Sequence, residues 1–304
     1  MSASLSHSGQ RTHGVTRLAT TLLLKRLLDM SKVKKIFTNT GSTAAYAVIS
    51  AVFTLFPEDF FKLGFIGCDW SESAVVLTNR IFVCLVFFLL GNISYYCWRK
   101  HRKVVTITDK DCTIEIMYGN LIKINEGKKV IHFDECFTTT VGTRPEDVKA
   151  DSVCGQYLRQ HPITETEVSS LINLVGIKST GTSLYNKKEK YTHGILLPRE
   201  EFLLMAYAKL DKNGLGIDTY EKYVECLDKL WEQIDLHHGT ADVYLPIIGS
   251  KITRFDKDLT QQQLLDIMIA SYRLSPKKMK HPYKLHIVCK EREGFSLNNI
   301  FGVE

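Results

Sequence analysis

Three stretches of this chain combine residue types that could hold a phosphorylated ligand. In Asp242–Phe255, reading D-V-Y-L-P-I-I-G-S-K-I-T-R-F, an apolar strand runs into Gly249-Ser250 and then into a polar, basic segment. A small-residue turn beyond a strand exposes backbone N–H groups that can cradle a diphosphate. Lys251, Thr253 and Arg254 add charge and a hydroxyl beside Ile252 and Phe255. A plain strand-to-helix connection is the competing explanation. The stretch Tyr118–Leu121, Y-G-N-L, closes a strand that begins at Thr113. Gly119 permits a sharp turn, and Asn120 carries a donor and an acceptor, enough to read an adenine edge. An ordinary turn between strands explains the same residues. In Lys129–Gly142, K-V-I-H-F-D-E-C-F-T-T-T-V-G, a strand ending at Phe133 meets Asp134-Glu135 and a Thr-rich turn that includes Thr138. Adjacent carboxylates diverge, so they make no obvious acid/base pair. One could receive ribose hydroxyls or a cationic group, or cap the next helix.

Other chemistry is disfavoured. Asp211-Lys212-Asn213-Gly214 has the look of a calcium loop, but Leu215 and Lys222 stand where oxygen ligands are needed. His237-His238 lack zinc-helix spacing, and none of the eight cysteines forms a C-x-x-C pair. Cys136 and Cys154 have no evident His partner nearby and read as core or loop cysteines. No G-x-S-x-G elbow, Walker A sequence or G-x-G-x-x-G fingerprint occurs. Scattered single cysteines suit a reducing compartment.

The elements that must position these residues follow from residue 104 onward. Short β-rich runs occur at Val104–Thr108, Thr113–Met117, Lys129–Phe133, Gly194–Leu197, Asp242–Ile248 and Lys284–Cys289. Helical segments lie at Glu165–Leu174, Thr219–Leu236 and Gln261–Tyr272. Such alternation predicts an α/β sheet covered on both faces, with ligands beyond the carboxyl ends of its strands.

The first third is different. Of the net charge of +6 over 304 residues, residues 1–103 carry +8 (13 Lys and Arg against 5 Asp and Glu) and residues 104–304 carry −2 (26 against 28). A nucleic-acid-binding C-terminal domain is thereby disfavoured. Uncharged runs at Phe37–Pro57 and Ile81–Trp98 approach the roughly 20 residues needed to cross a bilayer. Lys25, Arg26, Lys32, Lys34 and Lys35 precede the first, and Arg99, Lys100, Arg102 and Lys103 follow the second. Glu58, Asp59, Asp69 and Glu72 lie between. Cations stay on the cytoplasmic side, which predicts a hairpin with both termini inside and an external loop near residues 58–79. Leu18, Leu22, Leu23, Leu24, Leu27 and Leu28 among Arg17, Lys25 and Arg26 suit an amphipathic helix on the inner leaflet, or one packed on protein.

From Thr113 to the C-terminus, the chain resembles the macro-domain-like module of bacterial Thoeris anti-phage effectors. The stretches that carry the likeness are I-E-I-M-Y-G-N-L-I, V-I-H-F-D-E-C-F-T-T-T-V, L-P-I-I-G-S-K-I-T-R-F and K-L-H-I-V-C. Two upstream membrane helices match the transmembrane–macro branch. The resemblance implies a macro-domain-like three-layer α/β/α module at residues 104–304. It also implies a two-helix transmembrane hairpin within residues 36–103 (about 37–57 and 81–98) and a basic segment at 1–35. The implied function is reception at the bacterial inner membrane. A TIR-domain partner makes an ADP-ribose-type signal, here a histidine conjugate, and its binding assembles a homo-oligomer that damages the lipid bilayer.

Site residues are implied as well. Gly119-Asn120-Leu121 is similar to the macro-domain G-D-I turn, with Asn120 in place of the acid that binds the adenine amine. Gly249, Ser250, Lys251, Ile252, Thr253, Arg254 and Phe255 match the phosphate loop. Phe133, Asp134 and Glu135 stand where macro-domain hydrolases carry an asparagine-rich catalytic loop. Those asparagines and the following glycine triplet are absent here, which implies a reader of the signal without catalytic residues, metal or cofactor. A tethered NAD or ADP-ribosyl hydrolase and a non-nucleotide membrane adaptor are the rival readings.

Overall fold

The computed structural model describes residues 37–62, 70–145, 147–213, 216–249, 254–255, 259–291 and 295–300, with the backbone alone at Gly216, Arg254 and Phe255. The expected amphipathic segment at 15–35 lies outside them. The chain divides into two compact units, Met1–His101 and Arg102–Glu304.

The first unit holds α1 (Thr40–Leu55), a 3₁₀ turn (Glu58–Lys62) and α2 (Glu72–Lys100). Asn39 caps α1 by accepting from the Ser42 amide, as a short side-chain acceptor at an N-cap should. The 29 residues of α2 span about 43 Å, more than the roughly 30 Å of a hydrocarbon core. Among the described residues α2 alone is long and apolar enough to cross a membrane; α1, at 16 residues, falls short. The expected pair of spans is thus met in length and hydropathy by one helix. Residues 72–79, expected in an external loop, form the first turns of α2.

The second unit is built on a mixed sheet. Its strands are β1 (Val104–Thr108), β2 (Thr113–Tyr118), β3 (Lys128–Asp134), β6 (Leu196–Arg199), β7 (Phe202–Leu210), β8 (Gly216–Asp218), β9 (Val243–Pro246), β10 (Arg254–Phe255) and β11 (Lys284–Cys289). A separate two-stranded ribbon comprises β4 (Gly181–Thr182) and β5 (Glu189–Lys190). The strand order is β1-β2-β11-β9-β3-β7-β8-β10, with β6 beside β7. The five central strands, β2, β11, β9, β3 and β7, are mutually parallel.

Helices α3 (Val153–Gln160), α4 (Glu165–Val175), α5 (Tyr220–His237) and α6 (Gln261–Leu274) complete the unit. Successive residues of a strand point to opposite faces, and here both faces are packed. Val130, Leu203, Met205, Leu245 and Ile287 join α5 and α6 in one core, while Ile131, Leu204, Ala206, Tyr244 and Val288 join α3 and α4 in another. The result is the expected three-layer α/β/α arrangement. Thr164 and Thr260 start α4 and α6 with complete capping boxes, and Gly176 ends α4 in the left-handed region.

The short strands β4, β5, β8 and β10 escape the sequence reading, and so do β7 and α3. β7, F-L-L-M-A-Y-A-K-L, is buried on both faces, so it shows no alternation, and Leu, Met and Ala favour helices as readily. The short helix α3 has too few turns to display a period.

Candidate functional site

Parallel strands end together, and the sequence-predicted segments accordingly meet at one edge of the sheet. Gly119 follows β2, and its amide donates to the Cys289 carbonyl at the end of β11, 2.9 Å away. Asp134 and Glu135 stand at the end of β3. Gly249 follows β9 with φ +79°, a conformation that only glycine adopts without strain. Ser250, Lys251, Ile252 and Thr253 lie outside the described residues. Arg254 and Phe255, expected in the same loop, instead form β10, parallel to β8 and opposite Ile217 and Asp218. Gly249 and Arg254 therefore flank β3, β7 and β8 in the order of the sheet.

Several named residues make contacts that build the local structure of this edge. Leu121 is buried at the start of a 3₁₀ turn (Leu121–Lys123) and packs in the α3/α4 core. Asn120 caps that turn: its Oδ1 accepts from the Ile122 amide at 3.1 Å, which uses one of its lone pairs. Phe133 is buried in the same core against Phe137 and Tyr157.

Asp134 is occupied by its own loop. Its Oδ1 accepts from the amides of Cys136 (3.1 Å) and Thr138 (2.8 Å), and its Oδ2 accepts from the Thr138 hydroxyl. This staple holds Phe137 at φ +53°, unusual for a bulky residue and sustained by its burial in the core. Burial pushes the Asp134 carboxyl above its ordinary value, while the donors from Thr138 and Cys136 pull it down. Asp134 and Thr138 thus shape the turn.

Glu135 is the carboxylate that faces a space. It is 3 % exposed, and its Oε2 lies 3.9 Å from His193 Nε2. Burial works against its ionisation, but His193, the Leu210 amide and Lys190 outweigh it and hold the group below the usual carboxylate range. The space is a cavity of about 380 Å³ bounded by Glu135, residues 190–193, the end of β7 at Lys209 and the outer side of α5 at Lys222, Glu225 and Lys229. Gly194 fixes this wall: its φ is +84°, and a Cβ there would meet the Cys226 carbonyl at 2.4 Å. Sequence reasoning missed His193 and these lysines, although the K-K-E-K run at 187–190 was a local signal.

The thiols at this edge are pushed above their ordinary values. Burial first, and the Asp134 charge second, push the Cys136 thiol up to about 12. Cys154 is raised further, again mainly by burial. Among the described residues no cluster of His, Cys, Asp and Glu could hold a metal ion.

Comparison with known proteins bears on the same unit. The family described as Thoeris protein ThsA, Macro domain, matches residues 114–290, more than half of the chain. The Thoeris protein ThsA of Bacillus amyloliquefaciens (strain Y2) is 26 % identical over 247 residues, which cover 78 % of this chain and 80 % of that protein. Solved structures are more distant. A macrodomain of Oceanobacillus iheyensis with ADP has a TM-score of 0.39 at 12 % identity, covering 62 % of this chain and 89 % of its own. The macrodomain of Thermus aquaticus DarG has a TM-score of 0.35 at 12 % identity, covering 59 % and 98 %.

Proposed function

The chain belongs to the macro-domain family of the Thoeris anti-phage protein ThsA, and from that premise we propose that it is a membrane-anchored receptor for an ADP-ribose-derived signal. In this reading a TIR-domain partner makes the signal, a histidine conjugate of ADP-ribose. A ligand that binds an assembled state better than the dispersed one shifts the population toward assembly. The helical unit then damages the bacterial inner membrane, and the infected cell dies before phage can spread.

The observation that carries the reading is the meeting of Gly119, Glu135 and Gly249 at the carboxyl edge of five parallel strands, where α/β sheets bind ligands. Gly249 and the following Ser250, Lys251, Ile252, Thr253 and Arg254 hold the diphosphate through backbone amides, a hydroxyl and charge. The Asn120 side chain meets adenine with the capacity its cap leaves over. Glu135 accepts a ribose hydroxyl or an amino group in preference to Asp134, whose oxygens already accept three hydrogen bonds.

Both α1 and α2 enter the membrane as a hairpin, with the cations at 99–103 on the cytoplasmic side and Glu58, Asp59 and Glu72 outside. The spacing of exposed apolar residues on α2 supports this: Leu77, Ile81, Leu85, Leu89 and Ile93 follow one another at four-residue steps.

Calorimetry of the full chain in detergent with ADP-ribose and its histidine conjugate tests the site. Binding that Gly249→Trp abolishes is expected. No binding, or binding that ignores this substitution, overturns the assignment. The Glu135–His193 pair favours one second reading, a tethered hydrolase of NAD or ADP-ribosyl groups, because a carboxylate beside an imidazole can act on a proton. Intact ligand recovered after prolonged incubation excludes it.

A further inference from the structure

The cavity beside Glu135 has a charge pattern that the strand-end loops do not account for. Residues 104–304 are net negative by composition, yet Lys190, Lys209, Lys222 and Lys229 converge on this one space, with His193 beside them. Lys229 is tied to Glu232 at 2.9 Å. Lys190, Lys209 and Lys222 have no carboxylate within 4.0 Å among the described residues, and Glu225 on the rim pairs with none of them. Elsewhere in the unit, Lys188 pairs with Glu165, Lys284 with Glu115 and Lys277 with Glu232. Glu135 offsets Lys190 and Asp218 offsets Lys222 only in part and beyond ion-pair distance; the remaining like charges repel one another, and an anion that settles among them relieves that cost.

The walls are built, not incidental. The Glu135 amide donates to the Ala208 carbonyl and the Tyr191 amide to the Glu135 carbonyl, both at 2.9 Å, so β7, the end of β3 and the 190–193 segment are bonded together. Lys222 stands in the first turn of α5, whose N-terminal end carries a partial positive charge that also favours an anion.

We propose that this cavity is an anion site for a phosphate-bearing ligand. Lys190, Lys209 and Lys222 supply its charge, and His193 lines it beside the buried Glu135 carboxylate. No described residue of the Gly249 loop lines the cavity, and the proposal goes beyond the nucleotide reading above, with which it shares Glu135. A second anion there bridges α5, β7 and the 190–193 segment, three elements far apart in sequence, and so stiffens this side of the unit.

Calorimetry with pyrophosphate on the full chain in detergent is the test. Binding to the wild type is expected, with a loss of tenfold or more in Lys209→Ala/Lys222→Ala and recovery to within about threefold in Lys209→Arg/Lys222→Arg. Gly249→Trp should leave the lysine-dependent part of that binding in place. No pyrophosphate binding overturns the proposal. So does binding that Gly249→Trp removes while the lysine double variant keeps it, since the anion then sits at the strand-end loop. Failure of ADP-ribose to bind while pyrophosphate still depends on the lysines discards the nucleotide reading and leaves the cavity standing. Displacement of bound pyrophosphate by ADP-ribose identifies the nucleotide's own phosphates as the source, and persistence identifies a free one. Lost binding in the alanine variant with an unchanged melting temperature, together with the arginine rescue, separates lost charge from lost folding.

Discussion

The two units of this chain solve the burial problem in opposite ways. In the α/β unit the large side chains Trp231, Tyr157, Tyr223 and Tyr272 are essentially inaccessible, and charged groups sit at the edges. The helical unit does the reverse. Among the described residues, seventeen large apolar side chains are exposed in residues 37–98, against eight in the longer α/β unit. What this unit encloses mixes the apolar Ala45, Phe61 and Val76 with the polar Ser42 and Asn79. Asn79 is fully buried and donates to the Phe61 carbonyl, and Ser42, also buried, meets Asn92. Under the membrane placement proposed above, the pair would be joined by hydrogen bonds and close packing and not by hydrophobic burial. The comparison teaches that the same residue type should carry a different weight in each unit, and substitutions can test that.

The largest contrast is expected for apolar truncation. Trp231 packs edge-on to Tyr272 with ring centres 5.0 Å apart, and its indole N–H donates to Ser271 Oγ at 3.0 Å. Trp231→Ala should cost the α/β unit about 3–5 kcal/mol. Leu85, 54 % exposed on α2, should cost less than about 0.5 kcal/mol on truncation to alanine. Denaturation of the full chain in lipid nanodiscs, followed by circular dichroism and hydrogen exchange, measures both. Equal costs would break the comparison.

Acid should act on one unit only. His132 on β3 is T-shaped to Tyr207 at 6.4 Å, and burial lowers its pKa from 6.5 to about 4. The folded state therefore binds fewer protons than the unfolded one between those values. Its contribution is complete above about pH 6.5 and is lost as the pH falls toward 4. With one pKa unit worth about 1.4 kcal/mol, the loss is roughly 3 kcal/mol at most. Hydrogen exchange at pH 7 and pH 4.5 should show the α/β unit loosened and residues 72–100 unchanged. His132→Gln should remove most of that pH sensitivity, and a variant as acid-labile as the wild type would reassign it.

Close approach is the next test. Gly41 and Gly91 face each other where α1 meets α2: a Cβ on Gly91 would lie 2.7 Å from the Gly41 carbonyl and 2.9 Å from Ala45 Cβ. Gly91→Leu should cost the helix pair about 1–3 kcal/mol. Spin labels on α1 and α2 should then report increased separation, while the thermal transition of the α/β unit stays in place. Unchanged label distances would show that the crossing has room to spare.

Legibility differed between the units for the same physical reason. Strands with one clear apolar run, β1, β2, β3, β9 and β11, and the capped helices α4–α6 were readable because period and cap are local. β7 was not, since burial on both faces erases the alternation that marks a strand. At the site, Gly249 was readable because its turn needs a positive φ, whereas Gly119 is not among the positive-φ glycines and marks only the end of β2. The role of Asp134 was ambiguous, because an acid at a strand end can serve a ligand or its own loop, and only the donors at Cys136 and Thr138 decide. The cavity lysines, at 190, 209 and 222, are 13–19 residues apart and meet only through the packing of β5, β7 and α5.

The smallest effect is the one that bears most directly on the helical unit. Asn92 Oδ1 accepts from Asn39 Nδ2 at 2.8 Å and from Ser42 Oγ at 3.3 Å, and its Nδ2 reaches the Phe88 carbonyl at 2.9 Å and Ser42 Oγ at 3.1 Å. In water such a cluster would compete with solvent, whereas in hydrocarbon its groups have few other partners. Measured interhelical hydrogen bonds in membranes are worth about 0.6 kcal/mol on average and up to about 1.7, because the separated helices also find partners. Asn92→Ala should therefore weaken the α1–α2 pair by about 1 kcal/mol, and Asn92→Ser by less, since the hydroxyl keeps one bond. Fluorescence transfer between labels on the two helices in nanodiscs reads the change. A loss in nanodiscs that shrinks when the helical unit is moved to a water-penetrated short-chain detergent is the expected pattern. Equal losses in the two media would mean that the cluster does not sense an apolar surrounding, and the contrast between the units would then rest on side-chain exposure alone.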